Sequence, residues 1–204
     1  MTRHRMFSLA LLLLASPLAA AAGSTTRHEI RARLDPAAGT IAVVDRITLS
    51  RDLAEDAAGG YRFLLHAGLA PEVEGAGWQL ERVADEVDAA FVGINASSET
   101  AGAEVPLEGW LLRAGDGAEQ PVALRYGGVI RHELATSGEE YQRSFSETPG
   151  IIGPDGVFLA GASYWLPVFG EHLVTFSLEV NGLQPPWDVV SQGRRTRHEL
   201  AADG

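Results

Sequence analysis

Apolar and polar residues alternate with a period of two along several short segments of the chain. The clearest example is VTFSLEV at residues 174–180, in which every second residue is apolar. This period places one side of a β-strand against a core and leaves the other side polar. We therefore expect a strand here with one face buried.

A β-hairpin is predicted near the start of the chain. Ile30, Ala32 and Leu34 alternate with arginines, and the sequence DPAAG at residues 35–39 has the composition of a turn. A second alternating segment covers residues 41–49. We read a change of apolar phase around Val44 and Asp45, which suggests a β-bulge or a strand with two apolar faces.

Four further short strands are predicted at residues 61–65, 78–83, 110–113 and 122–126, separated by Gly-rich or acidic breaks. Residues 95–102 have the composition of a surface loop, and residues 135–146 have a pattern that allows one or two helical turns. No long amphipathic helix is evident. The pattern predicts an all-β fold, either a β-sandwich or an open barrel.

The first 22 residues resemble a signal peptide. Arg3 and Arg5 give a basic start, an apolar run follows, and small residues at 19–22 form a cleavage zone. The apolar run is shorter than the roughly 20 residues that span a bilayer. We expect export to the periplasm or the medium, no stable membrane anchor, and one domain over residues 23–204.

Composition narrows the possible partners. The chain has a formal net charge of -11 and contains no cysteine. Nucleic acid is not an expected partner, because binding to phosphates needs a basic face. Disulfides and thiolate metal sites are excluded.

The triplet Arg-His-Glu occurs at residues 27, 131 and 197 and is a candidate for metal binding. Zinc peptidases use H-E-x-x-H, in which two histidines on one helical face bind a single ion. The required second histidine is replaced by Ala32, Thr136 and Ala202 in the three cases. On strands, each His and its Glu point to opposite faces. We interpret the triplets as solvated strand faces, with no metal or cofactor site.

The most aromatic segment is SYWLP at residues 163–167, followed by Phe169. It lacks the closing glycine of a nucleophile elbow, and nearby glycines fit neither a phosphate loop nor a dinucleotide fingerprint. Aromatic residues next to proline at strand ends favour a core role over a ligand groove. No catalytic residue is predicted. The residues predicted to have a structural or interface role are Tyr141, Trp165, Pro167, Phe169 and Trp187.

Several segments together resemble one protein family. They are EEY at 139–141, RSF at 143–145, TPGII at 148–152, SYWLP at 163–167 and LVTFSLEV at 173–180. These segments are similar to the amino-terminal β domain of bacterial exported zinc aminopeptidases of the aminopeptidase N type. The resemblance is best between residues 126 and 197, and the segment 187–193 is similar to the next strand of that domain and its turn.

The resemblance implies a non-catalytic module with the β-sandwich or saddle-like open sheet of that β domain. In that family the β domain packs on a thermolysin-like catalytic domain and walls its substrate cleft. The H-E-x-x-H signature and the Gly-Ala-Met-Glu-Asn motif of the family are absent from this sequence. Zinc is therefore expected only in a catalytic domain, which would be the partner in cis or in trans, with peptide as a further possible ligand.

Two other hypotheses remain open. The chain could be a free-standing periplasmic β-sandwich that binds a ligand or assists assembly through the aromatic group around Trp165. It could also be an independent hydrolase whose site carries no familiar motif.

Overall fold

The computed structural model describes residues 25–57, 59–92, 105–137 and 145–199. The predicted signal peptide and the predicted loop at 95–102 lie outside these residues, as does Tyr141. Within the described ranges, no helical segment has the length and apolar character needed to span a membrane.

The described chain is mostly β-structure, which confirms the all-β prediction. Two short 3-10 helices, Ala89–Val92 and Gly161–Ser163, are the helical elements in these ranges. The strands are β1 (Thr26–Asp35), β2 (Thr40–Thr48), β3 (Tyr61–His66), β4 (Glu72–Glu74), β5 (Trp78–Asp85), β6 (Leu107–Ala114), β7 (Val122–Val129), β8 (Ala135–Ser137), β9 (Phe145–Glu147), β10 (Gly150–Gly153), β11 (Gly156–Leu159) and β12 (Val174–Asn181).

The larger sheet has five strands in the order β12-β1-β2-β7-β4. The predicted hairpin forms β1 and β2, which pair antiparallel along their whole length, with the turn at residues 36–39. Strand β12 pairs parallel to β1, and its other edge has no strand partner in the described chain. The β12 edge of this sheet is therefore unpaired over eight residues within the described chain.

A second sheet contains β3, β6 and β5 in the order β3-β6-β5. Its apolar residues and those of the larger sheet form a single buried cluster, which is the arrangement of a β-sandwich. Phe63 and Leu112 from the smaller sheet and Ile47 and Leu124 from the larger one are all 0% exposed. Two hairpins, β8-β9 and β10-β11, complete the described fold.

Three local predictions were wrong. Strand β2 has no bulge, because residues 41, 43, 45 and 47 are all buried in regular alternation, with Asp45 at an apolar position. One or two helical turns were expected within residues 135–146, but 135–137 and 145–147 form strands β8 and β9, and residues 138–144 lie outside the described chain. The segment 187–193, expected to be a strand and turn, has no regular secondary structure.

Candidate functional site

The apolar face of β12 is the main exposed apolar surface on the larger sheet. Val174 and Phe176 are 52% and 41% exposed, although they lie in phase with the buried residues of β1. Leu178 and Val180, further along the same face, are half-buried and pack on the core. The prediction that this face is buried is thus correct only for its second half.

The aromatic segment before β12 packs against the core. Trp165 is half-buried and packs against the core cluster, and Pro167 is buried. The ring of Phe169 lies 5.2 Å from that of Phe63, between ring centroids. Tyr164 adopts a left-handed conformation with φ of 52°, which turns the chain between the short 3-10 helix and Trp165.

Trp187 lies elsewhere, in an open groove of about 290 Å³ at one end of the sandwich. The groove runs between the β1-β2 turn, the β10-β11 turn and the chain after β12, and its lining includes Pro36, Pro154, Leu183 and Pro185. A second groove of about 220 Å³ includes Phe169 and Phe91. The predicted interface residues therefore do not form one site.

Replacing Trp165 separates a core role from a ligand-binding role. We expect Trp165→Ala to lower the free energy of unfolding by about 2 to 3 kcal/mol, somewhat less than for a fully buried aromatic residue. Urea unfolding monitored by circular dichroism measures this change. A variant that keeps wild-type stability would instead identify Trp165 as a surface residue available for binding, as the free-standing binding hypothesis requires.

The three histidines of the Arg-His-Glu triplets have different environments. His28 faces the core and is 2% exposed, while Glu29 points to solvent, so the prediction of a solvated face is wrong for His28. His132 is half-buried beside His66. His198 is exposed, with its Nε2 3.6 Å from an oxygen of Asp188.

His28 belongs to a buried polar group in the larger sheet. Its Nδ1 lies 2.7 Å from Oδ2 of Asp45, and the two side chains are 2% and 0% exposed. The other oxygen of Asp45 and the hydroxyl of Tyr126 are both buried and form no hydrogen bond within 3.5 Å, although the hydroxyl lies close enough to the Asp45 carboxylate to interact with it. Burial raises the pKa of Tyr126 well above its ordinary value, and the negative charge of Asp45 adds to the effect.

The second polar group is the pair of imidazoles of His66 and His132. The sequence pattern drew attention to His132 but not to His66. The Nε2 atoms of His66 and His132 are 3.0 Å apart, and the rings meet edge to face at 77°. His66 ends β3, and its Nδ1 accepts a hydrogen bond of 2.8 Å from the backbone N–H of Gly68. His132 is fixed through its backbone, because its N–H donates to the carbonyl of Gly150 and its carbonyl accepts from the Thr148 hydroxyl.

The environment of this pair favours neutral imidazoles. Burial, together with a smaller effect of the neighbouring His132, lowers the pKa of His66 to about 4. Burial also lowers the pKa of His132. Both residues therefore lose proton affinity on folding.

A structural or catalytic zinc ion has three or four protein ligands. The imidazole pair supplies two, and the described ranges hold no cluster of three or more His, Cys, Asp or Glu side chains. The hydrogen bond from Gly68 also occupies Nδ1 of His66 and thereby places the imidazole hydrogen on Nε2, where a metal would bind.

The structure thus offers one exposed apolar face, two open grooves and two polar pairs, and it brings together no set of side chains with a recognised catalytic geometry within the described residues. His66 could be found from sequence only as a polar residue that ends an apolar strand.

The chain matches no protein-family model, no curated protein and no solved structure at significant similarity.

Proposed function

We propose that this chain is a non-catalytic β-sandwich module that packs against a partner domain through the apolar face of β12. The observation that carries the proposal is the exposure of Val174 and Phe176 at an edge that has no strand partner among the described residues. Contiguous exposed apolar surface is typical of interaction sites.

The sequence of β12 supports this role, because it has neither proline nor a bulge, and its single charge, Glu179, lies near Arg31 of β1. Natural edge strands usually carry lysine, proline or a bulge that prevents pairing with another chain. Residues 174–181 contain neither lysine nor proline, and the pairing with β1 runs without a register shift. A partner that covers β12 would bury its apolar face and satisfy its free backbone groups.

The partner we propose is the thermolysin-like catalytic domain of an exported zinc aminopeptidase. The support is the resemblance of this sequence to the amino-terminal β domain of such enzymes, since the matching segments include β12 and the SYWLP turn that precedes it. Export through the predicted signal peptide belongs to the same proposal. In this arrangement the zinc and the catalytic residues belong to the partner.

A binding experiment with matched substitutions tests the surface and the partner together. Phe176 on β12 and Phe158 on β11 are 41% and 54% exposed, so the same change can be made at two comparable positions. We expect Phe176→Asp to weaken binding to an aminopeptidase catalytic domain by about tenfold or more, because a charge would enter an apolar contact. Phe158→Asp should bind like the wild type. Isothermal titration calorimetry measures both.

Three outcomes would contradict the proposal. Equal loss of binding in both variants would exclude β12 as the specific contact. Absence of binding by the wild-type chain would exclude the aminopeptidase partner. Hydrolysis of aminoacyl substrates by this chain alone, with added zinc, would show that it is an enzyme.

A further inference from the structure

The His66 and His132 pair has a hydrogen-bond pattern that allows only one protonation state. The backbone N–H of Gly68 can only donate, so Nδ1 of His66 is an acceptor and the hydrogen of this ring lies on Nε2. That hydrogen points at Nε2 of His132, 3.0 Å away. Nε2 of His132 is therefore also an acceptor, and the hydrogen of that ring is on Nδ1.

Both basic nitrogens of the neutral pair are thus already used as acceptors. A further proton on Nε2 of His132 would set two N–H groups against each other across 3.0 Å. A further proton on Nδ1 of His66 would meet the N–H of Gly68. Any added proton must break one of the two hydrogen bonds.

The pair joins two parts of the fold that are far apart in sequence. His66 ends β3 in the smaller sheet, and its own N–H donates to the carbonyl of Tyr164. His132 is bonded through its backbone to Gly150, the first residue of β10. Rupture of the imidazole contact would separate the end of β3 from the segment that supports the β10-β11 hairpin.

We propose that the hydrogen-bond chain from Gly68 through His66 to His132 is an acid-sensitive latch, which ties the end of β3 to the segment at β10 when both rings are neutral and loses one of its two hydrogen bonds when either ring gains a proton.

No described group near the pair would stabilise an added proton on either imidazole. The titratable side chains on the adjoining segments are Arg131, Glu133 and Tyr164. Within the described residues, none of the three makes a hydrogen bond or ion pair with either imidazole. The lowered pKa values of both histidines place the release on the acidic side of the ordinary histidine value of 6.5.

Nuclear magnetic resonance on the full chain tests the latch in two steps. At pH 7.5 we expect long-range proton-nitrogen correlations to show the Nε2–H form of His66 and the Nδ1–H form of His132. As the pH falls from 7 to 4, the hydrogen-exchange protection of the Gly68 amide should decrease by about tenfold or more, in step with protonation of the pair.

His132→Gln provides the matched variant, because its side-chain oxygen can accept from Nε2 of His66 but cannot be protonated. We expect this variant to keep Gly68 protected to a lower pH than the wild type, whereas His132→Ala should lose protection at every pH. His198→Gln, at an exposed site, should follow the wild-type profile. The opposite tautomers, an unchanged Gly68 profile between pH 7 and 4, or zinc binding to both Nε2 atoms would each overturn the proposal. The tautomers are read in the wild type, so this test holds even where a variant fails to fold.

Discussion

Asp45→Ala is expected to lower the free energy of unfolding by about 3 to 5 kcal/mol, because it removes one member of a buried, hydrogen-bonded pair. The carboxylate accepts the hydrogen bond of His28 at 2.7 Å, and neither side chain has measurable contact with water. Without Asp45, the imidazole would remain in the core with no acceptor for its Nδ1–H. Urea unfolding with an unchanged m-value measures the loss.

Tyr126→Phe is the control for this prediction. The Tyr126 hydroxyl is buried near Asp45 and forms no hydrogen bond within 3.5 Å, so its removal should relieve a poorly satisfied polar group. We expect the variant to be as stable as the wild type or about 1 kcal/mol more stable. A loss of more than about 1 kcal/mol would show that the hydroxyl is bonded to Asp45 and that the polar group is a connected triad.

The buried pair of His28 and Asp45 lies next to the proposed interaction surface on β12. His28 lies directly opposite Phe176 in the parallel pairing of β1 and β12. The half-exposed ring of Phe176 is thus the neighbour of a buried polar residue on the same side of the sheet. Displacement of His28 in Asp45→Ala would disturb the face that we propose contacts the partner.

The strand pattern was largely predictable, because most strands of this chain have one buried and one solvated face. The alternation at residues 174–180 marked β12 to within one residue, and that at 30–34 marked the second half of β1, which begins at Thr26. The same pattern could not show that β12 lies at an edge. Its apolar face has the same period in either position, and only the order of strands leaves Phe176 partly exposed.

The sequence pattern does indicate the buried pair of His28 and Asp45, but the interpretation as a bulge was wrong. Asp45 has the same parity as Ile41, Val43 and Ile47, and His28 has the same parity as Ile30. A polar residue in the apolar phase of each of two adjacent strands indicates a buried pair. The interpretation as a bulge assumed that a carboxylate would not face the core, but a neighbouring imidazole offsets the cost of its burial.

The contact between His66 and His132 could not be predicted from the sequence. His66 and His132 are 66 residues apart and lie in different parts of the fold. Their contact depends on the path of the chain after β3 and after β7, which is set by tertiary packing. The triplet at 131–133 drew attention to His132 for another chemistry, zinc binding, which its surroundings do not support.

Gly128→Ala is expected to destabilise the protein by about 3 kcal/mol, because two backbone segments meet at this glycine. Gly128 has φ of 156°, and a Cβ atom there would lie 1.8 Å from the carbonyl oxygen of Gly68. The obstacle is backbone, so a side-chain rotation cannot relieve it. The turn at Gly68 would have to move, and with it the N–H that bonds to Nδ1 of His66.

Gly156→Ala is the matched control, because a Cβ atom at this position has no neighbour within 4 Å and the backbone is not left-handed. This variant should be unchanged or up to about 1 kcal/mol more stable, since alanine restricts the unfolded chain. Thermal and urea unfolding of both variants measure the difference. Equal stabilities would mean that the turn after β3 does not approach β7 as described. A large loss at Gly128, with disturbed resonances of His66, would show that this close approach positions the imidazole pair.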